Sequence, residues 1–165
     1  MGKSSAKIRR QRVAVIIIHQ QKILLLYRYK NGRSYYVIPG GGVKRGESLK
    51  QTGRREVKEE VNLEVTLGPK WYENNNDGLV EHYFLARGFS GEVKLGGPEL
   101  SKQSAQNIYR PEWISLSELK DIPLLPPVIK EKIMAEFAPP PAKSVSFLER
   151  IKQVWQKISF LPPRQ

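Results

Sequence analysis

One stretch, Gly40 to Leu63 (GGGVKRGESLKQTGRREVKEEVNL), constrains this chain more than any other, because local rules write both ends of a helix into it and place three acids along one face. Ser48 is suited to cap free helical N–H groups, and Gln51, three residues later, completes a capping box, so a helix is expected from about Leu49. Glu56, Glu59 and Glu60 then fall at i, i+3 and i+4, on one face and within reach of each other, while Leu49, Val57 and Val61 point towards a core. Like charges at this spacing destabilise a helix by about 0.2–0.5 kcal/mol per pair. Arg55 is placed to bridge to Glu59, but one arginine does not neutralise three carboxylates. A hard divalent cation would, and oxygen-rich sites that share their metal with a substrate phosphate suit magnesium best, with manganese as the alternative. A solvated acidic face explains the three glutamates equally well when they are taken alone.

The rest of the stretch separates the two explanations. Gly41, Glu47 and the run Arg55-Glu56-Val57-Lys58-Glu59-Glu60-Val61-Asn62-Leu63, at this spacing, resemble the signature box of the Nudix hydrolases. The departure is Asn62, where that pattern has glycine; asparagine is the residue that best tolerates the left-handed conformation of a helix C′ position after glycine. Gly53 in mid-helix costs about 1 kcal/mol and is read as close packing against a sheet.

The resemblance implies an α/β/α sandwich with a mixed β-sheet and a hydrolase that cleaves a diphosphate linkage in a nucleoside diphosphate derivative. By position, Glu59 and Glu60 become metal ligands, Glu56 a ligand or the base beside them, and the Gly40 carbonyl a main-chain ligand. Arg55 and Glu47 tie loop to helix and aim the carboxylates, and Glu99 stands where some relatives place a further catalytic acid. Tyr36, ahead of Val-Ile-Pro-Gly-Gly, and Arg28 are the substrate-binding candidates, whereas His19 and His82 lie outside the box and are read as structural. No downstream signature selects ADP-ribose, dinucleoside polyphosphates or coenzyme A. A MutT-like nucleoside triphosphate pyrophosphohydrolase is the default, with a nucleotide-sensing module or an RNA-end pyrophosphohydrolase as the alternatives.

Length and composition bound the remainder. The 165 residues suit one domain with extensions, and the absence of cysteine excludes disulfides, thiolate metal sites and cysteine nucleophiles. No apolar run is long enough to span a membrane and no secretory leader is recognisable, so a cytoplasmic protein is expected. Of the net charge of +12, residues 1–12 contribute +5 and residues 138–165 contribute +4. The chain is therefore divided into a basic arm (1–12), an α/β domain of the Nudix kind (13–137) and a Pro-rich spacer with a basic amphipathic helix (138–165).

Within the domain, Val13 to Ile18 and Ile23 to Tyr29 read as a hairpin, followed by strands at Tyr35 to Ile38, Leu63 to Trp71, Leu79 to Ala86 and an edge strand at Tyr109 to Ile114. Asn74 to Gly78 reads as a loop, Gly96 to Asn107 as irregular, and Pro127 to Phe137 as a closing helix with proline in a permitted place. In the tail, Val145, Leu148, Ile151, Trp155 and Ile158 form one stripe of a basic amphipathic helix. Docking on its own domain or in a homodimer is favoured there over an anionic membrane surface, and nucleic acid is the remaining partner for the basic ends.

Overall fold

The computed structural model describes residues 10–76 and 78–139. The residues of the expected tail helix and most of the basic arm fall outside the described residues. Thirteen elements follow in order: β1 (Arg10–Ile16), β2 (Ile18–His19), β3 (Lys22–Lys30), β4 (Arg33–Val37), β5 (Gly40–Gly42), α1 (Leu49–Val61), β6 (Glu64–Asn76), β7 (Leu79–Ser90), α2 (Gly97–Ser101), β8 (Asn107–Ser115), a 3₁₀ turn (Leu119–Asp121), β9 (Leu124–Leu125) and α3 (Pro127–Phe137). Among them no helix is long and apolar enough to cross a membrane.

The strands make two mixed sheets rather than one. In the first the order is β5-β1-β7-β6, with β1 and β7 parallel and the outer pairs antiparallel. In the second β3 lies between β4 and β8, both antiparallel to it, and β9 extends the sheet parallel to β4. The expected hairpin between the first two apolar runs is thus largely absent: only β2 turns back on β3, through Ile18 and Ile23, while β1 belongs to the other sheet. Residues 13–17 are buried on both faces, so their sequence carries no alternation to say which strand they pair with.

Helices cover both faces. Val13, Val15, Ile17, Leu24 and Leu26 pack with Val57 and Val61 of α1, and the alternate residues Ala14, Ile16, Ile23 and Leu25 pack with Ile129 and Ile133 of α3. This is the α/β/α sandwich, with both sheets contributing to each core. Differences from the sequence reading lie at the ends of elements: β1 starts three residues earlier, β6 runs on through the expected loop to Asn76, and Gly97–Ser101 is a short helix.

The ends of α1 follow their local rules. Ser48 Oγ accepts from the Gln51 N–H, and Gln51 Oε1 accepts from the Ser48 N–H. Asn62 takes φ 60° and ψ 26°, and its Nδ2 donates to the Glu92 carbonyl at 3.1 Å. Asn62→Ala is therefore expected to cost about 1–2 kcal/mol, and Asn62→Gly less, because alanine pays the left-handed penalty and loses the amide contact. Thermal denaturation checks this, as a Tm lower by roughly 2–8 °C for the alanine variant. Gly53 sits flat on the sheet: a Cβ there would approach Leu67 Cδ1 to 2.9 Å, Val15 Cγ2 to 3.1 Å and Val13 Cγ1 to 3.2 Å.

Candidate active site

The site is built where the acidic face of α1 meets β5 and the loop that joins them. Arg55 is its hub. Its Nε donates to Glu47 Oε1 at 2.6 Å and its Nη2 to Glu47 Oε2 at 2.9 Å, a two-pronged contact. Nη1 reaches Glu56 at 2.5 Å and Glu59 at 3.1 Å, and Nη2 also reaches the Gly42 carbonyl at 3.1 Å. Glu47 accepts further from Thr52 Oγ1 at 2.8 Å and the Lys44 N–H at 3.2 Å. These donors, Arg55 first, hold the Glu47 carboxyl down at about 2, and Glu47 in turn raises the Arg55 guanidinium. The pair therefore stays charged and keeps the loop on the helix across the working pH range.

Glu60 is in the opposite condition. It is buried, and its Oε2 accepts from the Gly40 N–H at 2.8 Å. Burial pushes its carboxyl up to about 8; the Gly40 N–H and the Arg12 charge pull it down, and the Glu99 and Glu56 charges push it up. Glu99 stands three residues beyond Gly96, whose N–H donates to the Glu60 carbonyl at 3.2 Å. Its helix α2 abuts the end of α1 so tightly that a Cβ at Gly96 would lie 2.6 Å, and one at Gly97 2.9 Å, from the Glu59 carbonyl oxygen. Gly41 makes a similar approach: a Cβ there would lie 2.4–2.5 Å from the Glu56 carboxylate.

Glu56, Glu59 and Glu60 share the helix face as the spacing requires. Among the described residues, however, no three acidic side chains already form a cation cage. Arg55 draws Glu56 and Glu59 to one side while Glu60 turns back to Gly40. The donor set still fits a hard cation. It is all oxygen, and a buried carboxyl raised this far lacks a counter-charge that an ion would supply. A pH dependence follows. Because the folded Glu60 carboxyl lies near 8, above its ordinary 4.5, its contribution to stability is present below about pH 4.5 and is lost as the pH rises through about 8. Metal-free protein should melt at progressively lower temperature over that window, and Glu60→Gln should flatten the curve.

Beside this face lies a pocket of about 440 Å³, lined by Arg12, Arg28, Tyr35, Glu81, Tyr83, Pro126 and apolar neighbours. Arg28 is stacked on the Tyr109 ring at 4.2 Å and the Tyr35 ring at 5.8 Å, and its Nη2 donates to Tyr109 Oη at 2.6 Å. Its Nε is buried and has no partner among the described residues. Tyr36 does not line this pocket: its hydroxyl donates to Glu112 at 3.0 Å, and its ring meets Tyr27 edge-on at 5.4 Å. His82 is buried beside Gln11 and Glu73, outside the acidic face.

Sequence reasoning missed Arg12, Glu81 and the Pro126 segment. For Arg12 a signal existed, since a charge two residues before Ala14 on a strand shares its face, whereas nothing local links Arg12 to Glu81 or Pro126.

The sequence profile of the NUDIX domain matches residues 8–137. No curated protein sequence matches the chain. Solved structures do. The E. coli ORF135 protein is 27% identical over 86% of this chain and 100% of its own, with a TM-score of 0.63. The MutT protein of Methanosarcina mazei Go1 is 25% identical over 81% and 96%, with a TM-score of 0.61. A MutT from work on Aliivibrio salmonicida and Vibrio cholerae is 24% identical over 78% and 99%, with a TM-score of 0.65. With the box geometry, the sandwich and a profile match across both, the chain belongs to the Nudix family of pyrophosphohydrolases.

Proposed function

We propose that this chain is a cytoplasmic, magnesium-dependent pyrophosphohydrolase of nucleoside triphosphates or closely related nucleotides. The observation that carries the reading is the buried Glu60 carboxyl, short of counter-charge, on an acidic helix face next to a pocket with two arginines and aromatic walls. Glu56, Glu59 and Glu60, with the Gly40 main chain, would hold the ion. When bound, it supplies charge neutralisation at the diphosphate and lowers the pKa of a water.

The remaining work falls to the chain's own residues. Arg55 and Glu47 fix the loop and orient Glu56 and Glu59. Glu99, on the short helix α2 that is tied to α1 through the Gly96 N–H and the Glu60 carbonyl, is the further acid proposed to take a proton from the attacking water. The pocket receives the nucleoside, with Tyr35 as a flat wall and the unpartnered Arg28 Nε as a donor for an acceptor on it. A triphosphate is the default among diphosphate derivatives because no signature downstream of the box selects another.

The test is a magnesium-dependent hydrolysis screen over the nucleoside triphosphates, nucleotide sugars, ADP-ribose, dinucleoside polyphosphates and capped RNA ends. Release of pyrophosphate and a nucleoside monophosphate from a triphosphate, abolished by EDTA, is the expected result. Tight nucleotide binding with no turnover of any substrate would instead make the chain a binding module.

A further inference from the structure

We infer that Arg12 is the substrate's phosphate contact, gripping the phosphate nearest the nucleoside where it passes from the pocket to the acidic face of α1. This rests on the pocket being the nucleoside site.

Three observations carry it. First, the position joins the two places: Arg12 lines the pocket and pairs across β1 with Gly42 of β5, the strand whose Gly40 N–H holds the Glu60 carboxyl. Strand alternation accounts for this, since Arg12 lies on the same face of β1 as the pocket residue Ala14 and pairs in register with Glu81 of β7.

Second, Arg12 is poorly coordinated. Among the described residues its Nη2 meets the Ile38 carbonyl at 3.5 Å and its Nε meets Glu81 Oε1 at 4.0 Å, both at or beyond the limit of a hydrogen bond. A guanidinium offers five N–H donors in a planar fork that matches a phosphate. Arg55 shows what a fully engaged arginine looks like in this fold, with five contacts of 2.5–3.1 Å. Arg28 is committed differently, stacked on Tyr109 and donating to its hydroxyl.

Third, Glu81, the acid that would make Arg12 a plain cross-strand ion pair, is already engaged: its Oε2 accepts from Asn74 Nδ2 at 3.1 Å. Arg12 is about a third exposed, so a ligand in the pocket has access to it.

The experiment is calorimetric titration of the full chain, with magnesium, against the nucleoside monophosphates and the matching nucleosides, neither of which holds a bond the enzyme cleaves. Wild type is expected to bind a monophosphate more tightly than its nucleoside. Arg12→Ala should lose about 10- to 100-fold for the monophosphate and under about 2-fold for the nucleoside, with Arg12→Lys in between. Equal losses for both ligands, or the same selective loss in Glu81→Gln, would overturn the inference and leave Arg12 a structural partner of Glu81. If wild type prefers no monophosphate over its nucleoside, the inference falls alone; if it binds neither, the nucleoside pocket falls with it.

Discussion

Glu60→Gln is expected to lower kcat/KM by more than about a hundredfold while leaving the metal-free protein as stable as wild type near pH 4.5 and progressively more stable than it as the pH rises to 8. Loss of a residue that merely supports a metal ligand costs roughly 10- to 100-fold, and loss of a ligand itself should exceed that. The stability half of the result has a separate cause. Glutamine fills the same space and its oxygen still accepts from the Gly40 N–H, but it removes a buried carboxyl whose ionisation is opposed by burial. Glu59 is more exposed, so Glu59→Gln should lose activity with little change in Tm. Kinetics at neutral pH, with melting curves of metal-free protein at pH 4.5 and 8, decide the matter. Near wild-type turnover of either variant at saturating magnesium would refute the assignment of the acidic face.

The second large effect is at Arg55. Arg55→Lys should lose activity nearly as severely as Arg55→Ala, by about 10- to 100-fold, because one ammonium cannot reach Glu47 from two directions and also hold Glu56, Glu59 and the Gly42 carbonyl. Both variants should also melt at lower temperature, since Glu47 and Glu56 lose the guanidinium that bridges them. The loss should appear mainly in kcat and in the magnesium dependence, as the pocket is untouched. Full rescue by lysine would mean that only positive charge matters there.

The legibility of this chain depended on the range of the interactions. The boundaries of α1, the left-handed Asn62 and the tight seat of Gly53 follow from contacts within a turn or from the cost of glycine, and they were readable directly. So was the shared face of Glu56, Glu59 and Glu60, because helical spacing alone sets it. Strand partners were not. Residues 13–17 are covered on both faces, and β5 is three glycines, which strand propensity argues against. The pocket was the least legible part: Arg12, Glu81 and Pro126 come together only once two sheets and the start of α3 are in place. Arg12 was grouped with the basic arm for the same reason, although it belongs to a strand.

The bare surface of Gly53 against Val13, Val15 and Leu67 has a consequence for how the enzyme can change over time. With no side chain between helix and sheet at that point, the elevation of α1 is set by three buried hydrocarbon groups, and the acids ride on it as a rigid unit. Conservative swaps at those three positions, which alter volume by about one methylene at a cost of roughly 1–3 kcal/mol, should therefore tilt or lift the row of carboxylates relative to Gly40. Drift in this hidden layer gives the lineage a way to retune turnover and metal preference without touching any residue that meets the substrate.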